Sequence, residues 1–126
     1  MIPIAIVLAA LFIFQAPVLA QTEEELLQDL RQEVRTFGQD ETGDFGSSMT
    51  LVLLGEKAYP VLVEALGDPD PAVRANAATM LSWVPEGENP VPEYVLEALR
   101  TAAFDSDERV VKAATDASDI LSSPEK

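Results

Sequence analysis

The chain has 126 residues, with 22 Asp and Glu against 8 Lys and Arg, no His and no Cys, for a formal net charge of −14. That length holds one domain at most, and the acidity excludes the cationic footprint of a nucleic-acid binder. The missing His and Cys exclude thiol nucleophiles, imidazole bases, disulfides and ordinary zinc sites.

The first twenty residues read as a secretory leader. Ile4 to Phe14 is an unbroken apolar run of 11 residues, the size of a signal-peptide h-region and shorter than the roughly 20 a spanning helix needs. Pro17 breaks it, and Val18-Leu19-Ala20 places small residues for a cut after Ala20. The expected domains are a signal peptide over 1–20, a helical domain over 21–122 and a frayed tail over 123–126. The expected location is secreted or periplasmic, which a chain without Cys tolerates. Met1-Ile2-Pro3 carries no Lys or Arg, and Ile2 to Leu19 nearly spans a bilayer. An uncleaved N-terminal anchor is therefore the alternative, and membrane association is expected only in that case.

From residue 21 onward, apolar residues recur at helical spacing and almost nowhere at strand spacing. The first helix starts at Thr22, an N-cap with Glu25 three residues on. Its stripe is Leu26, Leu27, Leu30, Val34 and Phe37, and Gly38 ends it. A Gly, Asp and Thr loop runs from Gly38 to Gly46. A short second helix covers Ser48 to Leu54, capped by Ser47 and stopped by Gly55. The third spans about Glu56 to Leu66, with Pro60 in its first turns and Gly67 at its end. Asp70 caps the fourth and Pro71 opens it. Its buried face is Val73, Ala77, Met80, Leu81 and Val84, and Pro85 stops it. Glu86 to Pro92 is a Pro/Gly/Asn loop. The fifth helix, about Glu93 to Ala103, presents Val95, Leu96 and Leu99. Asp105-Ser106-Asp107 is again a cap and turn. The sixth carries Val110, Ala113, Ala114, Ala117, Ile120 and Leu121, with Lys112, Thr115, Asp116 and Asp119 on the opposite, solvated face.

The chain repeats internally. Val63-Glu64-Ala65-Leu66 matches Leu96-Glu97-Ala98-Leu99 at an offset of 33, and Asp68-x-Asp70-x-x-Val73 matches Asp105-x-Asp107-x-x-Val110 at an offset of 37. A longer connection between the fifth and sixth helices is expected to absorb the difference. Two helices per unit with an acidic turn between them is an α-solenoid pattern. The segment Leu54-Gly55-Glu56-Lys57-Ala58, Pro60-Val61-Leu62, Leu66-Gly67-Asp68-Pro69-Asp70-Pro71-Ala72-Val73-Arg74, Ala77-Ala78 and Leu81 resembles a HEAT-like repeat. It is most similar to the short bacterial kind first described in phycobilin lyases. Asp107 to Leu121 is a weaker second copy, with Val111 where Arg74 stands and Arg109 nearby. The resemblance implies an all-α fold, a short right-handed α-solenoid of about three helix pairs. It also implies that Arg74 is structural, pairing with a turn Asp of an adjacent repeat.

No constellation carries chemistry. Asp68 to Pro71, Asp105 to Glu108 and Asp40 to Asp44 lack the register of a calcium loop, and capping explains them. There is no phosphate loop and no nucleophile elbow. No enzyme activity, cofactor, catalytic residue or metal site is expected. The function expected is a non-enzymatic protein–protein interaction module outside the cytoplasm. Its partner is a protein or peptide, with basic character favoured by the charge. The alternative is a structural subunit, or a membrane-anchored component, of an envelope assembly. A lyase-like or chaperone role rests on fold analogy alone. The polar outer face of the sixth helix favours a monomer. By resemblance, the second helix of each pair lines the concave side, which places Arg74, Asn76, Thr79 and Lys112 near an interaction surface. Trp83, the sole Trp, is a further candidate anchor.

Overall fold

The computed structural model describes residues 21–37 and 43–122, with side chains from Ser48 onward in the second segment. The leader over 1–20, the stop at Gly38 and the tail over 123–126 lie outside the described residues. Among these the chain is all-helical: α1 (Glu23–Thr36), α2 (Gly43–Leu54), a 3-10 turn (Gly55–Ala58), α3 (Tyr59–Ala65), α4 (Pro71–Trp83), α5 (Glu93–Ala102) and α6 (Glu108–Ser122).

Local chemistry sets most boundaries. The Glu25 N–H donates to Thr22 Oγ1 at 3.1 Å, and the Thr22 hydroxyl donates to Glu25 Oε1 at 3.2 Å. Glu23, Glu24 and Glu25 occupy the first turn of α1, where the helix dipole favours acids. The Ala72 N–H donates to Asp70 Oδ1 at 2.9 Å, with Pro71 at the first helical position. Gly55 takes φ +57°, the left-handed conformation that lets α2 end without a Cβ clash.

Three expectations are corrected. The second helix starts at Gly43, so Gly43 to Gly46 is helical rather than loop, and Ser47 lies inside α2 rather than capping it. Packing of α2 along α1 outweighs the weak helix propensity of Gly and Asp. The third helix is split, with Gly55–Ala58 wound as a 3-10 turn before α3. The four-residue difference between the repeat offsets sits in α5, which runs one turn further than α3, and not in the connection after it. One helical turn is 3.6 residues, so four added residues keep the facing of α5 and leave the following turn unchanged.

The core runs from Leu30 and Val34 on α1 through Leu51, Leu62, Val73, Leu81, Val95 and Leu99 to Val110 on α6. α4 packs against α3, and α5 against α6. The most extensive contact in the molecule joins α4 to α6. Ala77, Ala78, Ala114 and Ala117 are all buried there or beside it, so the backbones approach closely. α1 packs against α3 and α4, and α2 packs against α1 with no comparable contact to α4. Ile120, expected on the buried stripe, is exposed: the inward face of α6 follows Val110, Ala114, Ala117 and Leu121 at i+4, i+3 and i+4, and one residue before Leu121 the helix has turned about 100° toward solvent. Among the described residues no helix is long and apolar enough to cross a membrane.

Candidate interaction surface

The turns that open α4 and α6 are chemical copies. The Asp70 N–H donates to Asp68 Oδ1, and the Asp107 N–H donates to Asp105 Oδ1, both at 2.9 Å. Asp70 and Asp107 then each accept the N–H two residues on. Arg74, from the first turn of α4, spans the two turns. Its Nε donates to Asp105 Oδ2 at 2.9 Å and its Nη2 to Asp105 Oδ1 at 3.0 Å. Its Nη1 donates to the carbonyls of Asp68 and Pro69. The pair is largely shielded, with side-chain exposures of 17% and 14%. Arg35 on α1 repeats the device one step earlier, donating to Asp68 Oδ2 at 2.8 Å. A ladder of Arg–Asp bridges therefore runs along one edge of the stack and sets the spacing of neighbouring units. Arg109 turns back onto its own cap, Asp107, and adds no rung.

The carboxylates of this ladder are held in the ionised form. Arg74 and the Asp107 N–H depress the pKa of Asp105. The Asp70 N–H and Arg35 do the same for Asp68. Asp107, bonded by the Arg109 side chain and backbone, is lowered to about 2. Depressed acids stabilise the fold above their unfolded value of 3.8, and that contribution is lost as pH falls through the folded value. Glu33 is opposite in sign. Burial raises its pKa against a hydrogen bond from Thr50, so its contribution is present below the unfolded value and is lost as pH rises. The Tm is therefore expected to fall between about pH 4 and pH 2, by less in Arg74→Met than in the parent chain. Thermal melts by circular dichroism across that window check this, and an equal fall in both proteins contradicts it.

The residues expected on an interaction surface fall into two groups. Asn76, Thr79 and Trp83 share one stripe of α4, and α1 lies against it. Asn76 Nδ2 donates to the Val34 carbonyl at 2.9 Å, near the end of α1. Trp83 meets Phe37 edge to face, with ring centroids 5.1 Å apart, and keeps 40% of its surface exposed. Thr79 is half-buried. These side chains pin the end of α1 across α4, and Arg74 ties α4 to the next turn. Lys112 stands apart on α6, exposed and paired with Asp116.

A different group, from distant parts of the chain, forms a cleft of about 430 Å³ that the sequence did not reveal. Tyr59, Val84, Val91 and Leu121 line it with apolar surface, and the loop Glu86 to Pro90 forms its lip. Glu56 lies over Gly87, where an added Cβ would come within 3.0 Å of Glu56 Oε1. Glu86 and Glu88 thus line the cleft, and Glu56 stands beside it at Gly87. Burial raises the Tyr59 pKa, and the charges of Glu56 and Glu86 add to it, so the phenol stays neutral beside the carboxylates. Apolar walls, a phenol and three acids suit a Lys or Arg side chain, whose stem packs on apolar surface while its head meets the charge. Acidity in a Pro/Gly loop was the one signal available, and it also fits an ordinary solvated connector. A second hollow, about 370 Å³, lies between α1 and the turn before α4. There Arg31 and Arg35 face Glu64 and Asp68, so its charges offset one another. Among the described residues no group of acids is arranged to hold a metal ion.

The sequence model of the family described as HEAT repeats matches residues 19–117, well over half of the chain. The chain belongs to the HEAT-repeat family. No curated protein and no solved structure matches it. HEAT repeats commonly mediate protein–protein interaction, and their stacked helices present ridged, extended surfaces suited to it. The Arg74–Asp105 bridge realises the pairing that the resemblance implied. In this HEAT-repeat chain the charges of the turns thus hold the stack together, and the acidic cleft is lined by other residues.

Proposed function

We propose that this HEAT-repeat chain is a non-enzymatic interaction module that works outside the cytoplasm and recognises a basic segment of a partner protein. In this reading it is a short right-handed α-solenoid of three helix pairs, of the small bacterial kind, secreted or periplasmic after removal of residues 1–20. One observation carries the recognition claim: the cleft where Glu56, Glu86 and Glu88 edge an apolar, tyrosine-lined wall. The net charge of −14 supports it by steering a cationic partner toward the molecule. The apolar leader supports the location, and the absence of His and Cys from the sequence supports the non-catalytic role.

The test is fluorescence anisotropy with a labelled Lys/Arg-rich peptide at low and high salt. Glu56→Gln/Glu86→Gln/Glu88→Gln is expected to weaken binding about tenfold, as the loss of several close charge pairs would. A control that removes the same charge elsewhere, Glu24→Gln/Asp116→Asn/Asp119→Asn, is expected to weaken it far less. Equal losses in the two variants would reduce the cleft to a share of diffuse charge and overturn the assignment.

A further inference from the structure

Glu33 is turned into the seam between α1 and α2. Thr50, 6% exposed on α2, donates its hydroxyl to Glu33 Oε1 at 2.9 Å. Glu33 Oε2 is buried and has no hydrogen-bond partner. An ionised carboxylate offers about four lone-pair sites to donors, so in the seam it is held by one bond where water would supply several. A buried charge so short of donors is costly, and the neutral acid is much less so.

Neighbouring charge does not relieve it. Asp29, one turn earlier on α1, repels a negative Glu33. The sequence of α2 holds one ionisable residue, Asp44, which is a further acid. In the 3-10 turn Lys57 is bound to Glu23 at 2.6 Å, and Glu56 lies over Gly87. Toward α3 and α4, Glu64 and Asp68 stand with Arg31 and Arg35 around their own hollow, and Arg74 is held by Asp105. Among the described residues no cation pairs with Glu33.

The same seam is where the molecule opens at least cost. α2 packs on α1 and on the 3-10 turn, and on little else. Gly55, at φ +57°, joins it to that turn. An element with so few packing partners opens well before the whole fold does.

We propose that Glu33 and Thr50 form a pH-operated latch, in which neutral Glu33 keeps α2 closed on α1 and ionised Glu33 lets α2 part from α1 about Gly55. Parting brings the carboxylate to water. Burial raises the Glu33 pKa above its ordinary value of 4.5. The closing contribution is therefore complete below 4.5 and is lost as pH rises through the folded value. The latch is independent of what the acidic cleft binds.

The full chain, expressed in a secretory host and purified, is followed by hydrogen exchange and mass spectrometry at about pH 5 and about pH 7, each corrected for the intrinsic exchange rate. The sequence holds no His and no Cys, so ordinary side chains keep their charge between those values. Amides of residues 49–54 are expected to lose protection several-fold on going to the higher pH, while those of α4 and α6 do not. Glu33→Gln, neutral throughout, is expected to keep the same protection at both values. Thr50→Val removes the hydroxyl that the ionised carboxylate relies on and is expected to widen the loss, which keeps the test open even if Glu33→Gln fails to fold. Equal protection of α2 at both pH values in the parent chain overturns the proposal. So does a loss shared by α4 and α6, a loss that persists in Glu33→Gln, or one that Thr50→Val leaves unchanged.

Discussion

Leu81→Ala lowers the stability of the fold by about 3 kcal/mol, and the Tm by about 15 °C at the roughly 5 °C per kcal/mol of a domain this size. Leu81 is wholly buried on α4, the helix that packs on α1, α3 and α6. The loss has two parts, the transfer energy of the deleted methyl groups and the cavity left where three helices brace the site and cannot collapse into it. Urea unfolding followed by circular dichroism checks it. Phe104→Ala, at an exposed site before α6, is the comparison, and a similar midpoint for the two variants would mean that α4 is not the centre of the core.

Ala114→Leu tests the close approach of helices rather than the filling of the core. Ala114 is fully buried on α6, the helix with the most extensive contact to α4. Added methylenes must push helices apart or force strained rotamers, at about 2 kcal/mol. The damage should also reach the ladder, because Arg74 on α4 has to stay within reach of Asp105 at the mouth of α6. Thr115→Leu, one residue on and exposed, should leave the stability within about 0.5 kcal/mol of the parent. Equal effects at 114 and 115 would show that the alanines are not there for spacing.

What the sequence discloses is mostly local. Thr22, Asp70 and Asp107 cap helices because a side-chain oxygen and an N–H two or three residues on need no help from the rest of the fold. The alanine-rich face of α4 shows in its spacing, and the acidic turns show in their repetition. Legibility fails where distant packing decides. Gly43 and Asp44 look like loop, yet they are wound into α2 by its contact with α1. The extra turn of α5 looks like a longer connection until the two turns are seen to match. Asn76 and Trp83 have the composition of surface anchors, but the end of α1 uses both. The acidic cleft is the hardest case. Glu56 and Tyr59 come from one side of α4 in sequence and the Glu86 to Val91 loop and Leu121 from the other, and no spacing rule brings them together.

A pull-down from an extract of the secretory host, read by mass spectrometry at low and high salt, tests the interaction-module reading most directly. The expected capture is a protein with a basic segment, held by the parent chain at low salt and released at high salt. Glu56→Gln/Glu86→Gln/Glu88→Gln is predicted not to capture it. Equal capture by both baits, or no specific partner at either salt, would contradict it.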